Sequence, residues 1–197
     1  IAMWDLVHGH SAIVTMPNIK CDGKGEKVMD ILIHDIDMEQ FQLLFPKADK
    51  RLHIISDTGN IRNCIGCFGC WIKTPGKCVL RDEYNNIGVI FAQAENVFII
   101  SRCYYGGYSP FVKNILDRSI PYLLPFFKIM NNETHHKRRY KNNLQFSVYF
   151  YGDKITIQER KTAQDLVKAN ALNFNAKHYQ TTFIRSLEEL PKEVIDI

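Results

Sequence analysis

The sequence predicts an α/β fold: one doubly wound parallel sheet of five strands, in three layers, with helices on both faces. Three observations carry this expectation. Short apolar runs alternate along the chain with stretches whose apolar residues recur at helical spacing. The run at 96–101 (Asn-Val-Phe-Ile-Ile-Ser) is apolar at consecutive positions, as a strand buried on both faces must be. Helix-start signals stand between these runs, Ser109-Pro110 and the capping box Thr156-Ile157-Gln158-Glu159.

Taken in order, residues 30–34 (Asp-Ile-Leu-Ile-His) read as the first strand. Residues 38–45 carry Met38, Phe41, Leu44 and Phe45 at helical spacing, and Pro46 ends that helix. Residues 51–56 are the second strand, and Asp57-Thr58-Gly59-Asn60 is a turn. After a cysteine-rich loop, residues 85–94 place Ile87, Ile90, Phe91 and Ala94 on one helix face. The third strand, 96–101, is followed by the helix that opens at Ser109-Pro110, with Val112, Ile115, Leu116 and Ser119 inward. Residues 145–151 are the fourth strand, 156–173 a long helix and 177–184 the fifth strand. Leu187 and Leu190 are expected to cover the sheet edge. This β-α-β-loop-α-β-α-β-α-β order, with right-handed crossovers, gives a flavodoxin-like sheet, most simply in strand order 2-1-3-4-5.

Two stretches fit the alternation poorly. Residues 121–127 (Pro-Tyr-Leu-Leu-Pro-Phe-Phe) are apolar but broken by two prolines, so they suit neither helix nor strand. They are either a buried connection or a patch for a partner. The basic run 135–141 reads as a solvated loop, or as a docking site for phosphate.

At 197 residues one domain is expected, here 29–197. Residues 1–28 differ in character and end in a polar, turn-like run from Cys21 to Lys27. They read as an N-terminal extension or as an added strand through 11–16. No apolar run approaches the roughly 18 residues of a membrane span, and no signal sequence is visible. A cytoplasmic, reducing location and no membrane association are therefore expected. The net charge of +4 suits an anionic cofactor and falls short of a nucleic-acid partner.

Cys64, Cys67, Cys70 and Cys78 follow the spacing C-x2-C-x2-C-x7-C, with Gly66 and Gly69 leaving the backbone free to curl. A [4Fe–4S] cluster fits three close thiols plus one distal thiol. Zinc fits less well, because its structural sites build from two separated pairs. A reduced loop whose cysteines pack as small groups needs no metal. Cys21 and Cys103 stand apart from this set.

In such a sheet, ligands bind beyond the carboxyl ends of the strands near the switch in strand order. The loop after the third strand, Ser101-Arg102-Cys103-Tyr104-Tyr105-Gly106-Gly107-Tyr108, offers tyrosines for stacking and glycines for close backbone approach. That suits an isoalloxazine ring; a tight turn with packed tyrosines would look the same. Tyr151 and Gly152, after the fourth strand, are placed either to line the same ring or to make a simple turn. The turn after the first strand is where a phosphate would rest on a helix start. It carries Asp35, Asp37 and Glu39 and no glycine, serine or threonine. These acids suit the helix and repel a phosphate.

The ordered set Cys64-x-Gly66-Cys67-x2-Cys70, Gly76-x-Cys78, Arg81-Asp82, Ser101-x2-Tyr104-x-Gly106 and Ser109-x3-Lys113-x3-Asp117-Arg118 resembles the NADPH-dependent FMN reductases of the flavodoxin superfamily. Within them it is most similar to the branch holding the iron–sulfur flavoproteins. The resemblance runs from Met29 to Ile184. It implies FMN along the carboxyl edge, with Ser101, Arg102, Cys103, Tyr104, Tyr105, Gly106 and Gly107 around the ring. It also implies NAD(P)H as donor, a small-molecule or protein electron acceptor, and a homodimer or homotetramer for which 121–127 is an interface candidate. Lys113, Asp117 and Arg118 match family positions of structural character. Two departures stand out: the Gly-Ser-Pro-Arg type phosphate loop is replaced by the acidic turn, and Arg102 occupies a usual proline position, where its charge would compensate. The cysteine loop is expected at the ligand edge, near the flavin.

The function expected is thus an FMN-dependent oxidoreductase. The flavin does the redox chemistry, so no catalytic side chain is assigned. The alternative is a degenerate flavodoxin-like domain without FMN, acting as a metal- or cluster-binding or protein-interaction module.

Overall fold

The computed structural model describes residues 29–46 and 52–195. The N-terminal segment 1–28, with Cys21, lies outside the described residues. In chain order the elements are β1 (Met29–His34), α1 (Met38–Leu44), β2 (Leu52–Ile55), α2 (Gly69–Ile72), α3 (Ile87–Ala92), β3 (Ala94–Arg102), α4 (Pro110–Arg118), β4 (Leu123–Met130), β5 (Glu133–Arg138), β6 (Gln145–Tyr151), α5 (Ile157–Asn173), β7 (His178–Ile184) and α6 (Lys192–Ile195).

Five strands pair in parallel in the order β2-β1-β3-β6-β7. Counted among the parallel strands alone, this is the expected 2-1-3-4-5 of a flavodoxin-like sheet. Alternate residues feed two separate cores, because successive strand side chains point to opposite faces. Ile31, Ile33, Val97, Ile99, Val148 and Phe150 pack with α3, α4 and α5 on one side. Leu32, Ile100, Tyr149 and Ile184 pack with α1, Leu187, Leu190 and Val194 on the other. Burying each such aliphatic or aromatic side chain stabilises the fold by about 1.5–3 kcal/mol. The C-terminal tail covers a sheet face, which is broader cover than the edge expected of it.

The helix starts follow their signals. Ser109 caps α4 by accepting from the Val112 amide at 3.4 Å, with Pro110 in the first turn. Thr156 and Glu159 form the reciprocal box at α5, with bonds of 3.2 and 2.8 Å. The helix expected over 85–94 is shorter, because Ala94 already pairs with Met29 at the start of β3.

The two ill-fitting stretches form one structure. Residues 121–127 were expected to be neither helix nor strand, and 135–141 a loop. Instead Ile120–Tyr122 make a 3₁₀ turn, and β4 and β5 form an antiparallel hairpin outside the main sheet. Pro125 is tolerated because the ladder is irregular between Leu123 and Phe127. The reversal uses Asn131 and Asn132, both at positive φ (54° and 63°), as a two-residue hairpin turn requires. The hairpin is pinned to the end of α5: Lys128 donates to Asn175 at 2.7 Å, and His135 lies 3.0 Å from Asn173.

Candidate functional site

At the carboxyl edge, the turn after β1 is occupied by its own carboxylates. Asp37 caps α1 by accepting from the Gln40 amide at 3.0 Å. Asp35 accepts from the Arg102 amide at 2.9 Å through Oδ2, while its buried Oδ1 has no partner. Burial pushes the Asp35 carboxyl up, against the pull of Ser109, the Arg102 amide and Tyr151. His34, beside it, is fully buried and stacked on Phe41 at 4.2 Å. Burial lowers its pKa to about 4, opposed by the Ile36 backbone. The Gln40 amide, a helix-start donor that would meet a phosphate, therefore already serves the protein.

The loop after β3 closes on itself. Tyr104 and Gly107 exchange backbone bonds of 3.0 and 2.8 Å, with Tyr105 (φ 52°) and Gly106 (φ 79°) at the tip. Gly106 is buried against α5, where an added Cβ would lie 2.7 Å from both the Glu159 carbonyl oxygen and the Thr162 Cβ. Its missing side chain thus serves packing onto a helix. Ser101, expected at the ligand, is fully buried; its hydroxyl accepts from the Ser109 amide at 2.8 Å and donates to the Arg102 carbonyl at 3.1 Å. It shapes the loop. Tyr108 turns into the core, 5.2 Å from the Phe150 ring, and its hydroxyl accepts from Asn170 at 3.3 Å. Cys103 is half-buried, its thiol pushed up by burial.

Tyr104 and Tyr105 are left exposed, Tyr105 at 91%. The Arg102 guanidinium lies 5.9 Å from the Tyr104 ring centre. Arg102, Tyr151 and Gly152 come together on a cavity of about 460 Å³ with Asp35, Asp37 and Arg185. Burial and neighbouring Asp35 raise the Tyr151 hydroxyl, so it stays protonated as a donor. Asp35 and Arg185 were not anticipated as site residues. Their positions directly after the first and fifth strands were the signal.

The cysteine loop lies elsewhere. Cys64, Cys67, Cys70 and Cys78 do come together, lining a second cavity of about 460 Å³. Its remaining walls include Arg118, Ser119, Pro121, Asn173 and Phe174, at the far ends of α4 and α5. Helices in this fold run antiparallel to the strands, so that cavity faces the amino edge of the sheet. The expected place beside the flavin edge is not what the fold gives. The reason is local: the loop leaves β2, is held at Thr58 and Ser56 by Tyr84, and then descends along α4.

Cys64 and Cys67 are exposed, Cys78 is half-buried and Cys70 is buried on α2. Burial, then the nearby Cys78, Cys64 and Cys67, push the Cys70 thiol up to about 11. Gly69 lets α2 settle on Val79, where an added Cβ would stand 2.6 Å from Cγ1. Trp71, next to Cys70, donates to the Leu123 carbonyl at 3.0 Å and stacks near Phe68 and His136. Among the described residues no three His, Cys, Asp or Glu side chains converge on a single ion. Cys64, Cys67, Cys70 and Cys78 share the wall of one cavity without converging in that way.

No protein-family model matches the chain. It is similar to iron–sulfur flavoproteins: 27% identical over 100 residues to one of Archaeoglobus fulgidus (51% of this chain, 41% of that protein). With one of Methanocaldococcus jannaschii it shares 36% over 63 residues, 32% of each chain. The matches thus span under half the length of these curated relatives. Among solved structures, an NADPH-quinone reductase from P. pentosaceus has a TM-score of 0.50 at 7% identity, covering 86% of this chain and 91% of its own. An NAD(P)H:quinone oxidoreductase from Methanothermobacter marburgensis has a TM-score of 0.50 at 11% identity, covering 86% and 92%. At such identities these likenesses show the fold.

Proposed function

We propose that the chain is an FMN-dependent oxidoreductase passing electrons from NAD(P)H to a small-molecule or protein acceptor. The observation that carries this is a cavity at the switch point of a flavodoxin-like sheet, lined by Arg102 whose guanidinium lies over the exposed Tyr104 ring, in a chain similar to iron–sulfur flavoproteins. The ring half of FMN fits the residues present: Tyr104 and Tyr105 offer faces, and Tyr151 and Gly152 line the cavity. The unpartnered Asp35 Oδ1 is an acceptor for a ligand N–H or O–H. The phosphate does not fit on α1, whose start is acidic. Arg102 and Arg185 are the cations on that cavity and would hold it. When bound, FMN supplies the exchange between hydride and electron transfer, and a cluster supplies single-electron steps.

Cys64, Cys67, Cys70 and Cys78 are the proposed [4Fe–4S] ligands. They and the flavin cavity lie at opposite edges of one chain, so a homodimer or homotetramer is the simplest way to bring the two near each other. The exposed Phe126, Phe127 and Ile129 of the β4–β5 hairpin suit such an interface. No helix among the described residues is long and apolar enough to cross a membrane. The five described cysteines are free thiols; a cytoplasmic location is part of the proposal.

Anaerobic purification followed by an absorbance spectrum and iron analysis tests the proposal. Bound or reconstituted FMN, with bleaching by NAD(P)H, is expected. Protein that stays colourless after incubation with excess FMN would overturn it and favour the flavin-free binding module. Unchanged FMN affinity in Arg102→Ala would remove the phosphate role of Arg102.

A further inference from the structure

Helix α4 holds both arms of the cysteine loop through two buried side chains. Asn114 donates to the Asn63 side chain at 2.9 Å and accepts from the Cys64 amide at 3.4 Å. Arg118, 1% exposed, pairs both terminal nitrogens with Asp82 at 2.7 Å, and Nη1 also donates to the Arg62 carbonyl at 2.6 Å. Asp82 in turn accepts from the Arg62 amide at 3.1 Å. Residues 62–64 enter the loop and residue 82 leaves it, so one helix face ties the entrance to the exit.

This arrangement leaves something over. The Arg118 Nε is buried and has no partner. A buried donor left alone costs about 1–3 kcal/mol, so a partner is expected. Arg118 lines the cavity of the four cysteines, beside Cys78. The acceptors around that cavity are the four cysteine sulfurs together with the side chains of Asp117, Ser119, His136, Asn170 and Asn173; of these, Cys78 is the one that interacts with the guanidinium.

We infer that Arg118 is a positioning residue for the thiolate-bound group: it locks both arms of the loop onto α4 and offers its Nε–H to the sulfur shell. The inference rests on the reading of the four cysteines as cluster ligands. A cluster on four thiolates is anionic, and a buried guanidinium donating toward its sulfurs favours the reduced state. Asp82 sets how much of that positive charge the cluster feels. A merely structural ion pair would have no such polarity.

Two measurements decide. On the metal-free full chain, hydrogen exchange is followed over 62–82 for Asn63→Ala, Asp82→Asn and Arg118→Lys. Faster exchange is expected at 62–64 for Asn63→Ala, and on both arms for the other two. Unchanged exchange in all three overturns the clamp. On the anaerobically reconstituted protein, the cluster potential is measured by titration with EPR detection. Asp82→Asn should raise it and Arg118→Lys should lower it. Shifts of the same sign mean a structural pair only and overturn the electrostatic role. If the wild-type chain takes up no iron and sulfide, the cluster reading fails and the sulfur role falls with it, while the exchange data still decide the clamp. Should Arg118→Lys not fold, Asn63→Ala and Asp82→Asn carry the exchange measurement, and a potential that Asp82→Asn does not raise overturns the electrostatic role.

Discussion

The cysteine loop and the tyrosine loop leave the same sheet but are held by different means. The tyrosine loop is closed by its own backbone, Tyr104 to Gly107, and seated on α5 by a glycine. The cysteine loop makes few backbone closures near Cys64 and depends on side chains of α4, chiefly Arg118 and Asn114. A backbone-closed loop fails only where its conformation is denied. A side-chain-held loop fails when a distant partner is lost, or when that partner changes charge.

The largest expected effect breaks the second kind of loop. Asp82→Ala leaves the fully buried Arg118 charge without its carboxylate, which costs about 3–5 kcal/mol. Denaturant unfolding should show the loss, and limited proteolysis should cut first within 62–80. Cleavage elsewhere first would count against the contrast. Next comes Gly106→Ala. Positive φ and the clash with the Glu159 carbonyl act together, for about 2–3 kcal/mol. Here unfolding should shift while protease sensitivity of the cysteine loop stays as in the wild type.

Acid should sharpen the same contrast. The Arg118 bond, partly opposed by burial, holds the Asp82 carboxyl below the usual carboxylate range. A depressed carboxyl contributes stability that is present above its unfolded pKa and is lost as pH falls through the folded one. Below about pH 4 hydrogen exchange over 62–82 should accelerate with each step down. The Tyr104–Gly107 closure is made by backbone hydrogen bonds and should not follow. The smallest effect on stability belongs to Tyr105→Ala. The ring is almost wholly exposed, so unfolding should be unchanged within about 0.5 kcal/mol. FMN affinity should fall about three- to tenfold if the ring stacks on the flavin, as equilibrium titration would read.

The parallel order and the two capped helices were legible because local signals and burial agree there: Ser109-Pro110 and Thr156/Glu159 stand where strands end. The hairpin was not, because two prolines and a basic run each argue against a strand. Only Asn131-Asn132, at positive φ between alternating residues, marked the turn. Spacing announced that four thiols gather and gave no hint of which sheet edge they reach. That depends on Arg118 meeting Asp82, 36 positions away in sequence. Tyr108 and Ser101 show the same limit at the other loop: composition could name the ring-binding residue types, while packing decided which of them turn inward.

Trp71 has a practical consequence. Its indole is fixed by the Leu123 carbonyl and flanked by Phe68 and His136, one residue from Cys70. The other tryptophan, Trp4, lies outside the described residues and can be replaced by phenylalanine. The emission that remains is then a fluorescent gauge built into the cysteine loop. Iron uptake should quench it, and loosening of α2 from the hairpin should shift it to the red, so the loop can be watched in solution without any added label.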